Sequence, residues 1–120
     1  MREALILFAH GARDPAWAAP LRQVEAQVQA MAEDLYVDLA FMDFIAPKLL
    51  DSVHAAIAQG ARRIRIAPLF IAQGGHLQYD LPRLFAELEK EWPGVEFVLG
   101  RAIGEDPGVI GAMAAAALKV

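Results

Sequence analysis

Cysteine is absent from the 120-residue chain, and histidine occurs only three times. The absence of cysteine excludes a disulfide framework and a thiolate metal site, so any metal must be bound by His, Asp, Glu or Met. Basic residues are also few, because 11 Lys and Arg stand against 15 Asp and Glu and give a net charge of −4. No run of Lys and Arg creates a basic field, so we expect no nucleic-acid partner.

Long apolar runs are missing as well. The run at residues 4–9 is too short for a membrane span or for the core of a usual signal peptide. We therefore expect no membrane partner and a cytoplasmic location. The hydrophobic content of 57% in a chain of this length predicts one compact domain, residues 1–120, with a sizeable core.

Strand patterns and helix patterns alternate along the whole chain. The strand patterns cover residues 4–9, 35–44, 63–71 and 95–100. Between and after them, apolar residues recur at spacings of three and four, the first such helix pattern running from Trp17 to Met31. This alternation predicts an α/β three-layer sandwich with a four-stranded parallel sheet in the flavodoxin-like order 2-1-3-4. Pro68 cannot donate to a strand ladder, so we expect the third strand to be irregular or unpaired on one side there.

Three aspartates followed by proline predict helix starts. They are Asp14 with Pro15, Asp80 with Pro82, and Asp106 with Pro107. An Asp side chain at such a position accepts hydrogen bonds from free N–H groups, and proline is tolerated in the first helical turn. Capping is therefore an alternative to a chemical role for all three aspartates, and the two roles are evenly balanced for Asp80.

Two histidines are predicted to meet at the ligand-binding edge of the sheet. In an open parallel sheet that edge lies outside the carboxyl ends of the strands, here between strands one and three. His10 ends the first strand and His76 follows the third, while Asp43 and Glu105 should lie on the same rim. His54 falls in the middle of a helix pattern and is expected to be an ordinary helix-face residue.

The residues next to these histidines favour a site, although a second interpretation stays open. Gly11 follows His10 and allows a tight turn, and the pair Gly74-Gly75 precedes His76. The alternative is that His10 only satisfies a backbone group at the end of a strand. The residues alone leave these two interpretations equally supported.

Three segments carry a resemblance to a known family. FAHGARDP, GARRIRIAPLFIAQGGHLQYDLP and AIGEDP resemble the small CbiX type of class II chelatase, the sirohydrochlorin cobaltochelatase and ferrochelatase family. The resemblance extends essentially from end to end. The family usually has Gly-His-Gly-Ser where this chain has AHGA, and often has glutamate where this chain has Asp43. His10 and His76 match the family's metal-handling histidines.

The resemblance implies insertion of Co²⁺ or Fe²⁺ into sirohydrochlorin, a tetrapyrrole with many carboxylates, with loss of two pyrrole protons and no nucleotide. Two neutral imidazoles suit Co²⁺, Fe²⁺ or Ni²⁺ and leave coordination positions open for the macrocycle. We expect His10 and His76 to present the ion, and a histidine or Asp43 to accept the protons. Activity should fall at acidic pH, because a protonated imidazole cannot bind a metal.

Further residues are predicted to bind the tetrapyrrole or a second copy of the chain. Arg13, near a helix start, is the first candidate for the substrate carboxylates, with Gln73, Gln78 and Tyr79 along the loop around His76, after the third strand. Small family members are similar to half of the larger chelatases, which implies a homodimer with the two sheets facing each other across the cleft. Apolar residues near the strand ends are candidates for that interface: Phe41, Met42, Phe44, Leu69, Phe70 and Ile71.

Other function classes remain as alternatives. The strongest is a non-catalytic carrier that binds metal or tetrapyrrole through the same two histidines. A histidine phosphatase or mutase also places His-Gly after its first strand, but that mechanism requires an arginine immediately before the histidine, where Ala9 stands. A flavodoxin-like or receiver-like signalling domain is weaker still, since no acidic cluster ends the first strand.

Overall fold

The structure, a computed structural model, describes residues 2–72, 74–75 and 77–120, without the side chains of Arg2 and Leu77. Within them lies one sheet of four parallel strands in the order β2-β1-β3-β4. The strands are β1 (Arg2–Ala9), β2 (Tyr36–Phe41), β3 (Ala61–Pro68) and β4 (Glu96–Leu99). The predicted α/β architecture and strand order are therefore confirmed.

Helices follow each strand and lie on both faces of the sheet. They are α1 (Ala19–Met31), α2 (Leu49–Ala58), α3 (Leu77–Glu91) and α4 (Pro107–Ala117), with short 3-10 helices at Pro15–Ala18 and Ile103–Glu105. In the part of the chain that the structure describes, no helix has both the length and the apolar content needed to cross a membrane.

Two of the three predicted helix caps are confirmed. The Asp14 side chain accepts a hydrogen bond from the Ala16 N–H at 3.0 Å, at the start of the first 3-10 helix. The Asp106 side chain accepts from the Gly108 N–H at 2.8 Å, at the start of α4. Both caps satisfy N–H groups that the helix itself leaves without a partner.

The predicted cap at Asp80 is wrong. Helix α3 begins at Leu77, so Asp80 lies inside its first turn and Pro82 lies inside the helix. A proline near a helix start removes only one backbone bond, to the carbonyl four residues earlier, so the helix can extend past it towards the N-terminus. The carboxylate of Asp80 is still favourably placed there, because the N-terminal end of a helix carries partial positive charge.

Two strands end earlier than their apolar patterns suggested. β2 stops at Phe41 and β3 stops at Pro68, so the apolar residues that follow lie on the rim of the sheet. Pro68 pairs with Phe8 of β1, whereas pairing with β4 ends at Ile66. The strand is thus unpaired on one side at Pro68, as expected for a residue without an N–H group.

The two faces of the sheet are covered unequally. The larger core cluster packs residues such as Ile6 and Ile64 against α2 and α3. The smaller cluster, around Leu7 and Leu39, lies under α1. Neither α1 nor α4 contributes a buried residue. The α4 side of the molecule therefore leaves much apolar surface exposed.

Candidate active site

His10 stands at the carboxyl end of β1, on the rim where the topology predicts a ligand site. It is exposed, and no described residue hydrogen-bonds its imidazole. One contact positions the ring: the centroid of the buried Phe70 ring lies 4.4 Å away, with the two ring planes 50° apart. Phe70 itself packs against Phe8 of β1 at 5.9 Å. His10 thus rests on a core aromatic residue, and the described residues leave its nitrogens free of hydrogen bonds.

The turns after β1 and β2 pack backbone against backbone. We call residues 10–14 the β1 turn and residues 42–47 the β2 turn. The Asp43 N–H donates to the His10 carbonyl at 3.1 Å, and the Met42 N–H donates to the Ala9 carbonyl at 2.8 Å. Gly11 has a φ of +89°, and a Cβ atom there would overlap the Asp43 carbonyl oxygen. The glycine after His10 is therefore needed both for the backbone angle and for this close approach.

Asp43 lies beside His10 as predicted, but in the β2 turn and not at the end of a strand. Its Oδ1 accepts a hydrogen bond from the Phe44 N–H at 2.9 Å and lies 4.0 Å from the Lys48 Nζ. The side chain is 61% exposed. The carboxylate therefore stabilises its own turn and remains open to solvent.

Arg13 and Phe44 come together across the same pair of turns. The Cζ of Arg13 lies 5.4 Å from the centroid of the Phe44 ring, within range of a cation–π interaction. Arg13 has no carboxylate partner among the described residues. Sequence patterns do not reveal this pairing, because they indicate Phe44 only as a candidate for an interface.

The loop after β3 is held against the 3-10 helix at Ile103–Glu105. The Gly104 N–H donates to the Phe70 carbonyl at 2.9 Å, and a Cβ atom at Gly104 would overlap the backbone of Ile71. This contact fixes Phe70, and through it the ring of His10. The AIGEDP segment, which contains Gly104, was noted in the sequence as part of the family resemblance. The roles of Phe70 and Gly104 were missed, because their contact joins segments that are distant in sequence.

The remaining predicted site residues divide into three groups. Gln78 and Tyr79 are exposed in the first turn of α3. Glu105 accepts a hydrogen bond from Arg101 at 2.8 Å. Gln73 and His76 lie outside the described residues, so the meeting of His76 with His10 stays a prediction.

His54, expected to be an ordinary helix-face residue, lies on α2. Its Nε2 is 3.7 Å from a carboxylate oxygen of Glu91, and its ring contacts Trp92 with the centroids 5.6 Å apart. Both partners belong to the end of α3 or to the residue after it. The surface role predicted for His54 is therefore consistent with its contacts.

The described residues around His10 do not by themselves form a metal cage. Among residues 2–72, 74–75 and 77–120, no group of three or more His, Asp and Glu side chains is placed to enclose a metal ion. Among the described residues, two clear pKa shifts occur, both on other elements. Burial, followed by the nearby Asp38, raises the pKa of Glu25 on α1. The hydrogen bond to Glu96 raises the pKa of Arg63 on β3.

Comparison with known proteins gives a consistent family assignment. A family model described as CbiX matches residues 4–119. A sirohydrochlorin cobaltochelatase of Methanocaldococcus jannaschii is 37% identical over 87 residues, covering 72% of this chain and 61% of that protein. One from Methanococcus aeolicus is 32% identical over 89 residues, covering 74% and 62%. The chain thus spans about six tenths of the length of these curated relatives.

Solved structures agree in fold. A CbiX protein of cobalamin biosynthesis from Marinobacter aquaeolei VT8 has a TM-score of 0.85 and 30% identity, covering 98% of this chain and 95% of that one. The sirohydrochlorin chelatase SirB from Bacillus subtilis subspecies spizizenii, in complex with cobalt, also has a TM-score of 0.85, at 22% identity. All of this chain matches 51% of SirB. With the sequence segments, the strand order and the family model in agreement, the chain belongs to the CbiX family.

Proposed function

We propose that this chain is a sirohydrochlorin chelatase, which inserts Co²⁺ or Fe²⁺ into the macrocycle without a nucleotide. The observation that carries this proposal is the placement of His10. Its imidazole lies on the rim at the carboxyl end of β1, free of hydrogen bonds to described residues and supported by Phe70. The names of the family relatives, sirohydrochlorin cobaltochelatase and ferrochelatase, supply the reaction.

The proposed chemistry exchanges one divalent ion for two protons. A nitrogen lone pair of His10, with His76 as the expected second ligand, binds the ion and leaves its other coordination positions open. As metal–nitrogen bonds to the macrocycle form, the bonds to histidine break and two pyrrole N–H protons leave. The freed imidazole or the exposed carboxylate of Asp43 accepts them and passes them to water.

The substrate carboxylates need cationic or hydrogen-bonding partners on the same rim. Arg13 is suited to this role, because its guanidinium has no carboxylate partner among the described residues. A guanidinium can bind a carboxylate through two parallel hydrogen bonds, which also orients the ring. We propose that Gln78 makes additional contacts to the substrate, and we propose the same for Gln73 from the sequence alone.

Absorbance spectroscopy distinguishes the chelatase from a carrier. With catalytic amounts of protein, we expect Co²⁺ or Fe²⁺ to convert the sirohydrochlorin spectrum over many turnovers. Ni²⁺ is measured in parallel to compare metals. A spectral change that stops after one equivalent of protein would show a carrier and contradict the proposal.

We further propose that two copies of the chain pair through α4. The helix, PGVIGAMAAAA, has no charged residue, yet none of its residues is buried, and Ile110 is 50% exposed. A helix that is apolar on all sides is normally covered by other protein. In a symmetric pair each copy contributes the same surface, so α4 of one copy would be covered by α4 of the other. Of the interface residues suggested by the sequence, Phe41 and Phe70 instead belong to the core.

Ile110→Asp tests this pairing. We expect the unmodified protein to have twice the chain mass in light scattering, and the variant to have the mass of one chain, because a carboxylate cannot be buried unpaired in an apolar interface. Met31→Asp is the matched control, since Met31 is 85% exposed at the end of α1 and should not affect the mass. An unmodified protein of single-chain mass would contradict the pairing.

A further inference from the structure

Phe44 has a backbone conformation that its side chain disfavours. Its φ is +69°, and it is the one non-glycine residue with positive φ among the described residues. A bulky residue in this conformation is strained, and strained residues of this kind cluster at ligand sites. Burial of the ring does not offset the strain, because Phe44 is 59% exposed and belongs to neither core cluster.

Contacts of Asp43 hold Phe44 in this conformation. The Asp43 carboxylate accepts from the Phe44 N–H at 2.9 Å, and the Asp43 carbonyl accepts from the Ile45 N–H at 2.9 Å. Gly11 packs against that same carbonyl from the β1 turn. The turn thus presents an aromatic ring to solvent at a fixed place beside His10.

Arg13 places a positive charge over this exposed ring. Its guanidinium lies over Phe44, and no described carboxylate neutralises it. A flat apolar surface next to an unpaired guanidinium is complementary to a planar ring system that carries carboxylates. Aromatic stacking on such a surface and charge-assisted hydrogen bonds at its edge can act together, because they contact different parts of the ligand.

We propose that Phe44 and Arg13 together form a binding ledge for the tetrapyrrole, with the Phe44 ring against the face of the macrocycle and Arg13 on a peripheral carboxylate. This inference rests on the proposed function, since it names residues that bind the substrate of that reaction. The ledge and a structural role for Phe44 predict different effects. A structural residue stabilises the fold, whereas Phe44 in the ledge lowers the stability of the fold and raises the affinity for substrate.

Phe44→Asn separates the two roles. Asn adopts positive φ more readily than Phe, so the variant should be at least as stable as the unmodified protein in thermal unfolding. The loss of the ring should raise KM for sirohydrochlorin about tenfold, in keeping with the energy of stacking on an aromatic side chain. We expect kcat to change by less than about twofold, since no group at the metal is altered. Phe44→Tyr keeps the ring and should keep the original KM.

Equilibrium binding of metal-free sirohydrochlorin, followed by its fluorescence, completes the test. If Phe44→Asn weakens this binding while the affinity for Co²⁺ alone is unchanged, the ledge is supported whether or not the protein turns over. If Phe44→Asn lowers the melting temperature and leaves both KM and binding unchanged, Phe44 is structural and the ledge is wrong. Failure of the unmodified protein to bind sirohydrochlorin would refute the ledge and the proposed function together, whereas binding without turnover would refute only the chelatase.

Discussion

Replacing His10 with alanine is expected to lower kcat/KM for metal insertion about a hundredfold or more, with little loss of stability. The imidazole is exposed and has no hydrogen bond to a described residue, so the variant loses the proposed metal ligand without leaving a buried group unpaired. The ring of Phe70, on which the imidazole rests, stays packed against Phe8 in the variant. Initial rates with Co²⁺ and Fe²⁺, measured together with thermal unfolding, test both parts of this expectation.

His54→Ala is the matched control for that experiment. His54 is also an exposed histidine, with 51% of its side chain accessible, but it lies on α2 against Glu91 and Trp92. We expect its replacement to leave the rate within about twofold, as for most surface substitutions. Equal losses in the two variants would show that His10 has no special role. Measuring His76→Ala in the same series tests the second imidazole, which rests on the sequence alone.

The strand order could be predicted from the sequence because buried parallel strands have a strong pattern. Residues 4–9 are apolar without alternation, which is typical of a strand covered on both faces. The ends of the strands were less predictable. After β2 the apolar Met42 and Phe44 continue the pattern, but they lie on the rim and not in the ladder. Hydrophobicity alone does not distinguish a residue buried in a sheet from one exposed on the rim.

The candidate site was only partly predictable for a similar reason. The predicted strand order placed His10 at the ligand-binding edge between strands one and three, and Gly11 indicated a tight turn beside it. The contact between Gly11 and the Asp43 carbonyl joins segments far apart in sequence, so no local pattern reveals it. The conformation of Phe44 opposes its residue preference and could not be foreseen. Such local inconsistencies are expected at functional sites, where the requirements of binding conflict with those of folding.

Gly11→Ala is expected to give the largest loss of stability of the substitutions considered, together with a loss of activity. An alanine at φ of +89° costs about 1–2 kcal/mol, and its Cβ would overlap the Asp43 carbonyl oxygen, so the β2 turn must move. Adding about 1–3 kcal/mol for forced repacking gives a total decrease of roughly 2–5 kcal/mol in the free energy of unfolding. Urea denaturation measures this decrease, and initial rates show whether displacing Asp43 and Phe44 from His10 impairs turnover.

Gly60→Ala isolates the contribution of the contact. Gly60 has nearly the same backbone angle, with a φ of +94°, but a Cβ atom there would meet nothing within 4 Å. Its replacement should lower the free energy of unfolding only by the cost of the backbone angle, about 1–2 kcal/mol. The rate under native conditions should be unchanged. The excess loss at Gly11 then measures how tightly the two turns are packed. If both variants lose the same stability and retain the same activity, the packing of the β1 turn on the β2 turn does not hold the site together.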